Sequence, residues 1–85
     1  MKVSVIIPAY NAKLTIDETL SSLSQQIFRD FEVIVVDDGS TDGTADYVRE
    51  GYPEVRVFKQ DNAGPASARN YGVTQSKGEW LAFLD

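Results

Sequence analysis

Two adjacent carboxylates, Asp37 and Asp38, are the residues best equipped for chemistry in this chain. They stand between the apolar run at 33–36 and the small polar stretch Gly39-Ser40-Thr41-Asp42. A carboxylate at the end of a buried strand can cap the next helix, ligate a metal or accept a hydrogen bond from a ligand. Successive strand side chains point to opposite faces, so the pair is not expected to share a proton as a catalytic dyad. Ser40 or Thr41 could cap the following helix, which leaves a carboxylate over for a ligand. Asp38, Ser40, Asp42, Gly43, Thr44 and Asp46 also fit the early positions of a helical calcium loop. That loop needs a bidentate Glu at its twelfth position, where Arg49 stands, and a helix before it, where a strand is expected.

An ionised Asp only accepts hydrogen bonds. It would favour uracil, whose ring N3 carries a proton, over cytosine, whose N3 does not. Tyr10, at a neighbouring strand end, could cover the flat face of such a base, or cap the sheet edge. Arg69 could pair with a phosphate or a base, or form a surface ion pair with Asp61 or Glu79. Other chemistries are excluded by composition. The chain has no cysteine and no histidine, so disulfides, thiolate metal sites and imidazole catalysis are absent from it. Pro8-Ala9-Tyr10-Asn11 fills the turn where a dinucleotide fingerprint or a phosphate loop would need glycines. Thirteen acidic and eight basic residues give a net charge of −5, which disfavours nucleic acid as a partner. A small anion held by one arginine and a helix N-terminus remains compatible with that charge.

The elements that must position these groups are legible as alternating patterns. Apolar runs at 3–7, 31–36, 55–58 and 80–84 read as strands; the first two are nearly continuous, as in parallel strands covered on both faces. The run at 55–58 alternates more and reads as an edge strand. Ile16, Leu20, Leu23 and Ile27 mark one face of a helix, with Asn11 as its candidate N-cap. Residues 42–50 form a shorter helix with Ala45 and Val48 inward. Residues 65–75 form a third, opened by Gly64-Pro65, with Ala66, Ala68 and Gly72 small enough for close packing. The order β-α-β-α-β-α-β predicts an α/β fold with a parallel sheet and right-handed crossovers. With 85 residues the chain holds one domain at most. No apolar segment approaches the length of a membrane span, and a cytoplasmic location is the expectation. In such sheets ligands bind beyond the carboxyl ends of the strands, where 8–12, 37–42, 59–70 and Asp85 fall.

Together, "VSVIIPAYNA", "SLSQQIFRDFEVIVVDDGSTDGT", "NAGPASARNYG" and "GEWLAFLD" resemble the N-terminal half of a family 2 glycosyltransferase with the GT-A fold, over essentially the whole chain. The resemblance implies transfer of a sugar, with inversion, from a nucleotide-diphosphate sugar, in the first place a UDP-sugar, to a saccharide or lipid-linked acceptor. It implies nucleotide-binding roles for Pro8, Tyr10, Asp38, Asn62, Arg69 and Asp85, with Asp38 taking the uracil N3 proton. Asp85 matches the first aspartate of the D-x-D motif, an indirect participant in a site for Mg²⁺ or Mn²⁺. We expect a Rossmann-like sheet of order 3-2-1-4 with helices on both faces. We expect residues 1–85 to be the nucleotide-sugar-binding part of a GT-A domain, truncated at the start of D-x-D, with the catalytic base beyond Asp85. Alone, such a piece is expected to be inactive and to self-associate through an exposed edge strand. The alternative is a stand-alone Rossmann-like nucleotide-binding module without catalysis.

Overall fold

In a computed structural model that describes residues 2–25 and 30–84, the chain alternates strand and helix. The strands are β1 (Val3–Ala9), β2 (Phe31–Asp38), β3 (Arg56–Gln60) and β4 (Trp80–Phe83). The helices are α1 (Ile16–Ser24), α2 (Thr44–Gly51) and α3 (Pro65–Gln75). The four strands form one sheet of order β3-β2-β1-β4, and every pairing is parallel. The order is therefore the expected 3-2-1-4.

Register decides which residues share a face. Val5 lies beside Val33 and Ala9 beside Asp37, so odd positions of β1 and β2 point the same way. Val5, Ile7, Ala9 and Val35 pack with Ile16 and Leu20 of α1 and Val48 of α2. Ile34 and Val36 point to the other face, against Ala68 of α3, with Phe58 and Tyr71 alongside. The helices thus cover both faces, which is why β1 and β2 carry almost unbroken apolar runs. α3 has hardly any large apolar side chain to bury, and it packs by proximity instead. A methyl group at Gly72 would stand 2.5 Å from Ile6 Cγ2, so only glycine lets the helix lie this close. Ala68 and Gly72 are buried as expected, whereas Ala66 is exposed.

At the amino ends of the strands, Glu32 is buried and accepts hydrogen bonds from Ser4 Oγ (2.5 Å), the Lys77 N–H (2.7 Å) and Arg56 Nη1 (2.9 Å). The Gly78 N–H donates to Ser4 Oγ at 2.8 Å. This network fixes the α3–β4 connection to β1, β2 and β3, at the end of the sheet away from Asp38. On the opposite face, Asp17 of α1 accepts the hydroxyls of Tyr47 and Tyr52, the second at 2.6 Å, which ties α1 to α2.

Three local expectations need correction. Asn11 does not cap α1; the helix starts four residues later, with Thr15 at the N-cap position. Asn11 has φ +48°, and its side chain is engaged elsewhere: Oδ1 accepts the Thr41 N–H at 2.8 Å, while the Asn11 N–H donates to Ser40 Oγ at 2.8 Å. Asn tolerates this left-handed conformation better than most residues, and here it joins the β1–α1 turn to the β2–α2 turn. Ser40 and Thr41, committed to Asn11, do not cap α2. That task falls to Asp42, which accepts the Thr44 N–H at 3.0 Å, and to Asp37, which accepts the Ala45 N–H at 3.2 Å. Finally, β2 and β3 each run two residues past their apolar cores, to Asp38 and Gln60. Ile27, the last position of the α1 face, and Asp85 lie outside the described residues.

Candidate functional site

The sheet's carboxyl end separates the carboxylate pair, as strand alternation requires. Asp37, level with Ala9, turns toward α1 and α2 and is 1% exposed. Its Oδ1 accepts the Ser40 N–H at 3.0 Å and its Oδ2 the Ala45 N–H. It therefore holds the β2–α2 loop in place.

Asp38 turns toward α3 and is 3% exposed. Its Oδ1 accepts Gln60 Nε2 and the Ala63 N–H, both at 2.8 Å. Its Oδ2 accepts the Gly64 N–H at 2.9 Å and Asn62 Nδ2 at 3.3 Å. Hydrogen bonds from Gln60 and the Ala63 N–H, opposed by burial and aided by the Gly64 N–H, hold this carboxyl below the usual range. Asp38 is thus an ionised acceptor at neutral pH.

The loop it grips is fitted closely. Gly39 has φ +74°, and a Cβ there would lie 2.7 Å from the Asn62 N. Both the backbone conformation and the approach of the 61–64 loop exclude a side chain at this position.

Pro8, Ala9, Tyr10, Asp38, Pro65 and Arg69 line a cleft of about 380 Å³ beyond the ends of β1 and β2, beside the start of α3. Tyr10 is 55% exposed on its rim. Four residues singled out from the sequence, Pro8, Tyr10, Asp38 and Arg69, therefore meet at one place. Asn62, exposed and outside the cleft lining, bonds through Nδ2 to the Asp38 carbonyl at 2.9 Å as well as to the carboxylate. A larger concavity, about 670 Å³, runs along α1 to Leu84 on the other face. Size is not the deciding property; a site needs convergent polar groups on an apolar wall, and the smaller cleft has them.

Gln60 is the participant that sequence reasoning missed. Its register partner is Asp38, so extending β3 by two residues would have placed it there. The backbone donors of Ala63 and Gly64 leave no side-chain signal. The calcium-loop pattern finds no support in the geometry. Asp42 is committed to the N–H groups of Thr44 and Lys13, Asp46 forms an exposed ion pair with Arg49 at 3.7 Å, and Asp38 is saturated by the 60–64 segment. Among the described residues no cluster of three or more acidic side chains is placed to hold a metal ion.

A four-stranded parallel sheet of order 3-2-1-4 with an acidic and aromatic cleft at its carboxyl end defines a Rossmann-like α/β unit. The chain belongs to glycosyl transferase family 2, whose model matches residues 4–85. It is 44% identical over 87 residues to the glycosyltransferase YibD of Escherichia coli, covering 99% of this chain and 25% of that protein. The crystal structure of S. aureus TarS 1–349 in complex with UDP-GlcNAc superposes with a TM-score of 0.88 at 41% identity, covering 100% of this chain and 26% of that one. Glucosyl-3-phosphoglycerate synthase from Mycobacterium tuberculosis, in complex with Mn²⁺, UDP and glucosyl-3-phosphoglycerate, gives a TM-score of 0.82 at 28% identity, over 99% of this chain and 33% of that one. These neighbours make the sheet a partial GT-A fold. The chain spans about a quarter of the length of YibD and of TarS 1–349. No helix among the described residues is long and apolar enough to cross a membrane.

Proposed function

We propose that this chain forms the donor-nucleotide half of an inverting glycosyltransferase that moves a sugar from a UDP-sugar to a saccharide or lipid-linked acceptor. The observation that carries this reading is the convergence of Tyr10, Asp38 and Arg69 on one cleft at the carboxyl ends of the central strands. In it, Tyr10 covers the uracil face, ionised Asp38 accepts the N3 proton, and Arg69 reaches the base or the diphosphate. Pro8 shapes the wall beneath the base, and Asn62 holds the loop that closes on Asp38. Family membership and the UDP-GlcNAc complex of TarS support the choice of nucleotide.

A divalent cation, Mg²⁺ or Mn²⁺, belongs to the reading for the whole enzyme, with Asp85 as a carboxylate near it. The described residues do not fit such an ion, since no cluster of three or more acidic side chains is placed among them to hold it. On this reading the metal and the catalytic base belong to the rest of the enzyme. A cytoplasmic location and self-association of the isolated chain through the open edge of β4 are parts of the same proposal.

Calorimetric titration of the chain with UDP, with and without Mn²⁺, tests the nucleotide assignment. We expect weak binding that Asp38→Ala reduces about tenfold or more, the usual consequence of losing a charged acceptor. Undiminished binding by a folded Asp38→Ala chain would sink the role given to Asp38. Sugar transfer by the purified 85-residue chain should be undetectable, and measurable turnover would overturn the division of labour proposed here.

A further inference from the structure

A carboxylate offers about four lone-pair directions, and in Asp38 all four are occupied: by Gln60 Nε2, the Ala63 N–H, the Gly64 N–H and Asn62 Nδ2. A base N3–H can reach Asp38 only by replacing one of these donors. The distances identify which. Both bonds to Oδ1 are 2.8 Å and that from Gly64 is 2.9 Å, whereas Asn62 Nδ2 lies 3.3 Å from Oδ2. Asn62 also keeps its 2.9 Å bond to the Asp38 carbonyl when it leaves the carboxylate. The replaceable donor is therefore Asn62, and the oxygen presented to the base is Oδ2.

This arrangement depends on Oδ1 staying where it is. Gln60 is the only side chain bonded to Oδ1 among the described residues, and it is a strand residue rather than part of the loop. Its orientation is unambiguous: an acceptor-only carboxylate requires the NH₂ end of the amide to face it. The second hydrogen of Nε2 points at Ser67 Oγ, 3.4 Å away in α3. Gln60 thus links the end of β3, Asp38 and the first turns of α3.

We infer that Gln60 is a positioning residue that sets base specificity: it locks the Asp38 carboxylate so that only Oδ2, with Asn62 displaced, is offered to the base. This rests on the uridine reading of the cleft. With the carboxylate locked, uracil presents N3–H to Oδ2, while cytosine presents a lone pair to a negative oxygen and is rejected. Without Gln60 the carboxylate can rotate and meet the exocyclic amino group of cytosine, so discrimination falls even where overall affinity survives.

The test is titration of the full chain with UDP and with CDP, for the wild type, Gln60→Met and Gln60→Asn. Met removes the donor at similar volume; Asn keeps an amide one methylene too short to reach, and serves if the Met chain does not fold. The wild type should prefer UDP by about tenfold or more, the scale of one well-placed hydrogen bond to a charged group. Both variants should bring the two affinities to within about threefold of each other. A role confined to holding β3 against β2 would weaken both nucleotides together and leave their ratio alone, and that result overturns the inference about Gln60. A wild type without preference for UDP overturns the uridine reading itself, and the inference with it.

Discussion

At the scale of single residues, the carboxylate pair divides into a loop-holder and a cleft-lining group because strand geometry sends them to opposite faces. The prediction that tests this division concerns Asp37. Its two oxygens satisfy the N–H groups of Ser40 and Ala45, and the residue is fully enclosed, so Asp37→Ala leaves the buried Ala45 N–H and the half-buried Ser40 N–H without this partner. We expect a loss of about 1–2 kcal/mol in urea denaturation, with the UDP-to-CDP preference of the folded fraction unchanged. A loss of preference as large as that of Asp38→Ala would mean the two side chains do not act separately. The separation itself was legible in the sequence, since it follows from a period of two. The choice of helix cap was not. Asp37, Ser40, Thr41 and Asp42 are all competent acceptors within reach of the α2 amides, and the hydroxyls were diverted by Asn11, thirty residues earlier in the chain. No local pattern encodes that competition.

At the scale of elements, the strand cores and the start of α3 were legible, and the strand ends were not. Apolar runs announce where a strand is buried, but β2 and β3 continue into polar residues that pair by register alone, and Gln60 lies in that continuation. The α1 start moved because the turn before it is held from outside, by Asp42 and Thr44 bonded to the N–H groups of Lys13 and Ala12. The network at the amino ends of the strands was likewise invisible, because Ser4, Glu32, Arg56 and Lys77 have no sequence proximity. Burial alone would raise the Glu32 carboxyl. The hydrogen bonds from Ser4, the Lys77 N–H and Arg56, with the charge of Arg56, outweigh it and hold the group below its usual value. A carboxyl lowered in the folded state stabilises above its unfolded value, near 4.3, and that contribution is lost as pH falls through the folded value. Glu32→Gln should therefore cost about 1–2 kcal/mol at pH 7, with the difference from wild type shrinking below about pH 4. Thermal denaturation across pH measures it, and a difference independent of pH would show that the negative charge is not what the network uses.

At the scale of the whole molecule, the two edges of the sheet are unequal. β3 is an edge strand with α2 packed beside it and Ser67 and Tyr71 of α3 touching Gln60 and Phe58, and its side chains are mostly half-buried. Among the described residues β4 pairs with β1 on one side only. The Trp80 N–H donates to the Lys2 carbonyl and the Leu84 N–H to the Ile6 carbonyl, so the alternation of a parallel ladder turns the N–H and C=O groups of Leu81 and Phe83 outward. Around these outward groups Trp80, Leu81 and Phe83 are 64%, 42% and 46% exposed. A flat apolar edge of this kind is a template for a further strand, and for the purified 85-residue chain the available strand is the same one in a second copy. Edge-to-edge pairing must work against the net charge of −5, whose repulsion salt screens within about 8 Å at physiological ionic strength. Sedimentation of the chain should therefore show association that grows with concentration and strengthens with added salt. Leu81→Lys, which places a charge on the edge without touching the core, should return the chain to a monomer. Association that survives this substitution would move the interface elsewhere, and a wild-type chain that stays monomeric at high concentration and high salt would mean that the exposed groups of β4 are not adhesive.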